Sequence, residues 1–232
     1  MFRQLIAGAA AAVIALTGVK SGQHRPDEFF HAEGGAIVSP AGETAVLRGM
    51  GFGNNVWVSS QADIGFHHNE DSFREMSELG FNSVRFLLNY RWFEDDENPY
   101  VYKQEGFDYI NRSIAWAKKY NIGLVLNMHY PQGGYQSQGN GTALWTDPEN
   151  QRRLVKLWGE IARRYADEPT IQGYGIVNEP IVPELSDIKQ TVGQCRNLVQ
   201  RCTDEIRRYD RSHIIFAERV AAVQDLSTGE NL

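Results

Sequence analysis

The strongest constraint on this chain is a regular alternation of short runs that are apolar through their length with stretches whose apolar residues recur at helical spacing. A strand with one wet face alternates apolar and polar residues, so a run that is apolar throughout is covered on both faces. The runs are Ser83 to Leu88, Ile122 to Met128, Ile171 to Val177 and His213 to Ala217. Between them Phe107, Ile110, Ile114 and Ala117 mark one helix, and Leu154, Leu157, Ile161 and Tyr165 a second. Ile188, Val192, Cys195, Val199, Cys202, Ile206 and Tyr209 mark a third. Asp147-Pro148 starts the second of these, an N-cap with proline in the first turn. Further upstream, Ser72 to Leu79 places Phe73, Met76 and Leu79 on one helical face and Gly80 stops it. Ala36 to Val38 and Thr44 to Leu47 flank Ser39-Pro40-Ala41-Gly42-Glu43 and read as a hairpin leading into a strand that ends at Arg48-Gly49.

Strands alternating with amphipathic helices imply a parallel sheet covered by helices, either doubly wound or closed into a barrel. The position of the polar residues separates the two. Arg85 and Asn89, then Asn127 and His129, then Asn178 and Glu179, then Glu218 stand at the C-terminal ends of successive runs, the pattern of a (β/α)₈ TIM barrel. A doubly wound nucleotide binder needs a Gly-rich turn that opens a helix. Gly49-Met50-Gly51-Phe52-Gly53 lacks the dinucleotide spacing and runs into Asn54-Asn55-Val56-Trp57 with no helix close behind. Five strands are legible at a spacing of about 40 residues, where a barrel has eight. The expected fold is α/β, a (β/α)₈ TIM barrel truncated after about the fifth strand.

Composition removes several function classes. With 42% hydrophobic and 22% charged residues, the 232-residue chain has enough apolar material for one sizeable core. A net charge of −6, with Lys and Arg dispersed among carboxylates, argues against nucleic acid as a partner. Residues 1–22 read as a signal peptide: Arg3, the apolar run Leu5 to Leu16, then small and polar residues to Gly22. The run is shorter than the roughly 20 apolar residues a membrane span needs. A secreted or periplasmic protein is expected, with residues 23–232 as one incomplete domain. Cys195 and Cys202 lie on one helix with Cα atoms roughly 10 Å apart, too far for a disulfide. His67-His68 has no clear third ligand, so no metal is assigned, and no cofactor is called for.

The sharpest motif is Gly173-Tyr174-Gly175-Ile176-Val177-Asn178-Glu179-Pro180. An Asn-Glu-Pro at the end of an apolar strand puts a carboxyl group at a barrel mouth, and Pro180, without an N–H, takes the chain out of the ladder there. Cleavage of a glycosidic bond needs such a group: one carboxylic acid protonates the leaving oxygen while a second carboxylate attacks the anomeric carbon. To stay protonated near neutral pH, Glu179 would need a pKa lifted from about 4.3 toward 6 or 7. Asn178 would hydrogen-bond the sugar 2-hydroxyl. The alternative is a strand-end turn with no catalytic role.

Five motifs in order, from about Ala36 to the end, resemble glycoside hydrolase family 5, the cellulase-type family. They are Val46-Leu47-Arg48-Gly49 on the first strand, Ser83-Val84-Arg85-Phe86 on the second and Leu126-Asn127-Met128-His129-Tyr130 on the third. Asn178-Glu179-Pro180 on the fourth and His213-Ile214-Ile215-Phe216-Ala217-Glu218 on the fifth complete the series. The resemblance implies a retaining β-glycosidase, with Glu179 as acid/base and Arg85, His129 and Asn178 lining the subsite at the cleaved bond. In that family the nucleophile is a Glu on the seventh strand, beyond this chain. Glu218, on the fifth strand, is instead expected to be a pKa or substrate-positioning group.

Arg85, flanked by apolar residues, needs a paired charge, most simply a catalytic carboxylate. Trp92, Tyr130, Tyr135 and Trp145 read either as core aromatics or as flat surfaces for sugar rings. The Gly-, Gln- and Asn-rich loop from Tyr130 to Trp145 is longer than a routine connection and favours the second. The expected function is hydrolysis of β-linked polysaccharide, most simply by an endo-β-1,4-glucanase (cellulase). Mannanase, β-1,3-glucanase and glycoceramidase share the scaffold, and a catalytically inactive carbohydrate-binding remnant is the alternative from another class.

Overall fold

The computed structural model describes residues 25–57, 66–136, 141–180 and 188–220. The expected signal peptide lies outside them. Three short strands come first: β1 (His31–Glu33), β2 (Ala36–Val38) and β3 (Thr44–Ala45) form a small antiparallel sheet. The second sheet has five strands: β4 (Gly49–Phe52), β5 (Ser83–Asn89), β6 (Gly123–Tyr130), β7 (Ile171–Gly175) and β8 (Ile214–Phe216). The intervening helices are α1 (Glu70–Glu78), α2 (Gln104–Lys119), the short α3 (Ala143–Thr146), α4 (Pro148–Tyr165) and α5 (Ile188–Arg207). A 3₁₀ turn, Tyr90–Trp92, follows β5.

All five strands of the large sheet are parallel and lie side by side in chain order. A doubly wound sheet reverses its order at a switch point, whereas a barrel is wound in one direction only. The arrangement is therefore the first part of a (β/α)₈ barrel.

The first barrel strand lies further along the chain than the expected strand ending at Arg48-Gly49. Thr44–Ala45 pairs with β2 as part of the hairpin sheet, and the first barrel strand begins at Gly49 and runs to Phe52. Gly49 is admitted there because a Cβ at that position would sit 2.8 Å from the Ser83 carbonyl oxygen of the neighbouring strand.

Helix starts follow from local chemistry. The Asn69 side chain accepts from the Ser72 N–H while the Ser72 hydroxyl accepts from the Asn69 N–H, a reciprocal cap that fixes α1. Asp147 accepts from the Glu149 N–H at 2.9 Å and Pro148 opens α4, as the sequence predicts. The helices bury one stripe each against the outer face of the sheet. Tyr109 of α2 packs on Phe86, and Trp158 of α4 on Tyr174. The Trp158 indole N–H also reaches the Ile176 carbonyl at 3.1 Å, locking α4 to the end of β7. Cys195 and Cys202 are buried and unbridged, as expected.

The opposite set of strand residues faces inward. Arg85, Val125, Gly173 and Ile214 stand in register across four strands, with Asn127, Gly175 and Phe216 in register one step above across β6, β7 and β8. Glycines occupy β7 in both rows because the space is taken. A Cβ at Gly175 would lie 2.6 Å from Asn127 Nδ2, and one at Gly173 only 2.7 Å from the Phe216 ring.

At the opposite end of the strands, Asp210 accepts from Tyr174 Oη at 2.8 Å and pairs with His213 Nδ1 at 2.5 Å. Phe29 covers the His213 ring edge-on at 4.8 Å. These groups hold the base of the sheet. Among the described residues no helix is long and apolar enough to cross a membrane.

Candidate active site

Glu218, just past β8, is the hub of the barrel mouth. One carboxylate oxygen accepts from Arg85 Nη2 of β5 and, at 3.5 Å, from Asn127 Nδ2 of β6. Its other oxygen accepts from the backbone N–H of Glu179 at 2.7 Å. Arg85 Nη2 also donates to Asn178 Oδ1 at 2.9 Å, and the Asn178 N–H in turn bonds the Met128 carbonyl at 3.0 Å. Strand ends two to five are thus tied together by side chains of opposite charge and by amides.

Arg85 does find a carboxylate partner, but it is Glu218 and not the acid expected for catalysis. Glu179 itself is exposed and sits at φ +41°, a left-handed conformation that favours glycine. The bond from its N–H to Glu218 helps hold it there, with the carboxyl group at the open surface.

His129, at the end of β6, is only 9% exposed and its Nδ1 has no hydrogen-bond partner among the described residues. Burial pushes its pKa down to about 4, reinforced by the Arg85 guanidinium and partly opposed by the Glu179 carboxylate. The imidazole is therefore neutral at ordinary pH, a hydrogen-bonding group rather than a cation.

Beyond His129 the aromatic residues divide. Tyr135, half-buried, packs on His129 with ring centroids 5.5 Å apart and on Tyr130 at 6.2 Å, and Tyr130, expected at the sugar, is itself only 7% exposed. Arg91 lies over both Tyr90 and Tyr130, with its guanidinium carbon 4.9 and 5.2 Å from the ring centroids. Trp92 does not join this group. Its ring is buried among Phe66, Phe93 and Tyr109, between strand and helix, so it is a core aromatic. Trp145 is also largely buried, and its indole N–H donates to Gln136 Oε1 at 2.7 Å, closing the loop rather than presenting a ring to the mouth.

One group went unread in the sequence. Glu94 is fully buried and accepts from Gln132 Nε2 at 2.6 Å, from Arg153 Nε at 3.0 Å and from the Tyr100 N–H at 2.8 Å. Arg153 also donates to Asp96 Oδ1 at 3.0 Å. The run Glu94-Asp95-Asp96-Glu97 looks like a solvated loop. The available signal was Arg153, which falls on the apolar stripe of α4 four residues before Leu157.

The arrangement has one exposed carboxyl group, a neutral imidazole, and amide and guanidinium groups at neighbouring strand ends. Such a set can protonate or deprotonate an oxygen and hydrogen-bond hydroxyl groups. Among the described residues no group of three or more His, Cys, Asp or Glu is placed to hold a metal ion.

Comparison with known proteins agrees with this chemistry. The family profile described as cellulase (glycosyl hydrolase family 5) matches residues 38–231. Endoglucanase C of Acetivibrio thermocellus is 30% identical over 165 residues, 69% of this chain and 46% of that protein. A beta-xylosidase of Phanerodontia chrysosporium is 30% identical over 236 residues, covering 86% of this chain and 48% of its own length. The chain thus spans about half the length of the curated relatives it matches. Among solved structures, endo-glycoceramidase II from Rhodococcus sp. superposes with TM-score 0.68 at 21% identity, over 80% of this chain and 52% of that one. With the profile covering the barrel strands and the strand-end residues converging at the mouth, this chain belongs to the cellulase family, glycosyl hydrolase family 5.

Proposed function

We propose that the protein is a retaining glycoside hydrolase acting on β-linked polysaccharide as an endo-β-1,4-glucanase, with Glu179 as acid/base. The observation that carries the reading is the network in which Glu218 accepts from Arg85, Asn127 and the Glu179 N–H while Arg85 also donates to Asn178, all beside the Glu179 backbone. Glu179 would protonate the leaving oxygen and then activate water, while Asn178 and His129 hydrogen-bond the sugar at the cleaved bond. Retention needs a second carboxylate about 5 to 5.5 Å from the first. Glu218 is occupied by Arg85 and the Glu179 N–H and serves as a positioning group, and the family resemblance puts the attacking carboxylate on the seventh strand. Tyr135, with the buried Tyr130 packed against it, would carry the flanking sugar, and residues 1–22 would direct export.

The test is Glu179→Gln in the full-length protein, assayed for reducing sugar released from carboxymethylcellulose, glucomannan, laminarin and xylan. Loss of an acid/base group is expected to lower turnover roughly 10²–10⁴-fold on whichever glycan the wild type cleaves best. Carboxymethylcellulose as the best substrate, with retained anomeric configuration by NMR, supports the full reading. Laminarin or xylan as the best substrate would move the specificity toward other relatives, among which are glucan 1,3-beta-glucosidases and a beta-xylosidase. Undiminished activity of the variant would remove Glu179 from the mechanism. Oligosaccharide binding with no turnover in the wild type would favour a carbohydrate-binding remnant.

A further inference from the structure

The loop after β6 is anchored on both sides of Tyr135 by glutamine side chains. On one side Gln132, fully buried, donates to the buried carboxylate of Glu94 at 2.6 Å. On the other, Gln136, also fully buried, accepts from the Trp145 indole N–H at 2.7 Å and donates to the carbonyls of Gly134 and Gly141 at 2.9 and 3.0 Å. Between these anchors Tyr135 meets the rings of His129 and Tyr130. Pro131, with its fixed φ, is the only residue between Tyr130 and Gln132, so the position of Gln132 is passed to Tyr130 with little slack.

Glu94 also draws its grip from elsewhere in the fold. Arg153 of α4 supplies its counter-charge, and the Tyr100 N–H supplies a third hydrogen bond. A buried carboxylate needs such partners to remain charged. Stability alone would be served by the Glu94–Arg153 pair. The bond to Gln132 adds nothing to charge balance, and what it does is fix the chain leaving the strand that carries His129.

We propose that Gln132, held by Glu94, is a positioning residue that sets the half-buried Tyr135 ring, with the buried Tyr130 packed against it, to face a bound β-glucan, with Gln136 as the second anchor. The inference rests on the glycan reading above. It concerns binding of sugars beside the cleaved bond, so it separates affinity from turnover.

Gln132→Met keeps the side-chain length and leaves the Glu94–Arg153 pair intact while cutting the tether. The full-length protein is compared with Gln132→Met, Gln136→Met and, as a control at the base of the sheet, Asp210→Asn. KM and kcat are measured on cellohexaose. Affinity is measured by calorimetry with cellohexaose, each change being made on a Glu179→Gln background. Either glutamine variant is expected to raise KM and weaken binding roughly five- to tenfold, the loss of one well-placed aromatic contact, with kcat kept within about twofold. Asp210→Asn is expected to lower the melting temperature without changing affinity. Unchanged affinity in both glutamine variants, a fall in kcat at constant KM, or equal weakening by Asp210→Asn would overturn the proposal. If the wild type neither hydrolyses nor binds cellohexaose, the glycan reading fails first and this inference fails with it.

Discussion

Replacing His129 by glutamine should flatten part of the pH dependence of stability. In the folded chain the imidazole is buried beside Arg85, and both effects disfavour its charged form, so its pKa falls to about 4 from the ordinary 6.5. A gap of this size corresponds to about 3 kcal/mol between the two protonation states. Between pH 6.5 and 4 the unfolded chain holds a proton that the folded chain does not. Stability therefore rises with pH across that window: the contribution is fully present above 6.5 and is lost as pH falls toward 4. Other groups titrate in both proteins and largely cancel in the difference. Urea unfolding of wild type and His129→Gln at pH 7.5, 6, 5 and 4 gives that difference directly. The wild type should lose up to about 3 kcal/mol relative to the variant on going from pH 7.5 to 4, with most of the change between 6.5 and 4.5. Parallel curves would refute the argument, because they would mean that His129 titrates alike in both states.

Two further perturbations bear on the fold. Asp147→Ala removes the cap on the Glu149 N–H and should cost about 1 kcal/mol in urea unfolding, with no effect on glycan affinity. Gly173→Ala places a methyl group 2.4 Å from the Ile214 carbonyl oxygen, so it should push β8 from β7 and cost about 1–3 kcal/mol. A denaturation midpoint equal to that of the wild type would show that the strands can shift freely.

The barrel was legible in the sequence because each of its inner strands is short and apolar throughout, and each is followed by polar residues at its end. Helix α4 was readable to its first residue, since Asp147-Pro148 combines a cap and a proline that fit one position only. The first barrel strand was misplaced for a physical reason. Val46 and Leu47 are apolar, yet Val46 is 65% exposed and the strand is the glycine-rich Gly49–Phe52, where close contact with the Ser83 carbonyl leaves no room for a side chain at Gly49. At the mouth, Arg85, Asn127, Asn178 and Glu218 were legible as strand-end polar residues, and the structure joins them. The choice of carboxylate for Arg85 was not, because pairing across a barrel depends on which side chains lean inward. Trp92 and Trp145 share a composition with sugar-binding aromatics, and only their neighbours show that one fills the core and the other closes a loop.

The left-handed backbone at Glu179 has a consequence for how this protein can change over time. Glycine would occupy that conformation without strain, whereas a residue with a Cβ holds it at a cost of order 1–3 kcal/mol. The carboxyl group and the backbone thus ask for different residues at one position. On the acid/base role proposed for Glu179, a lineage released from hydrolysis would gain stability by drifting to glycine there, and retention of glutamate across relatives would mark selection for the acid against the preference of the main chain.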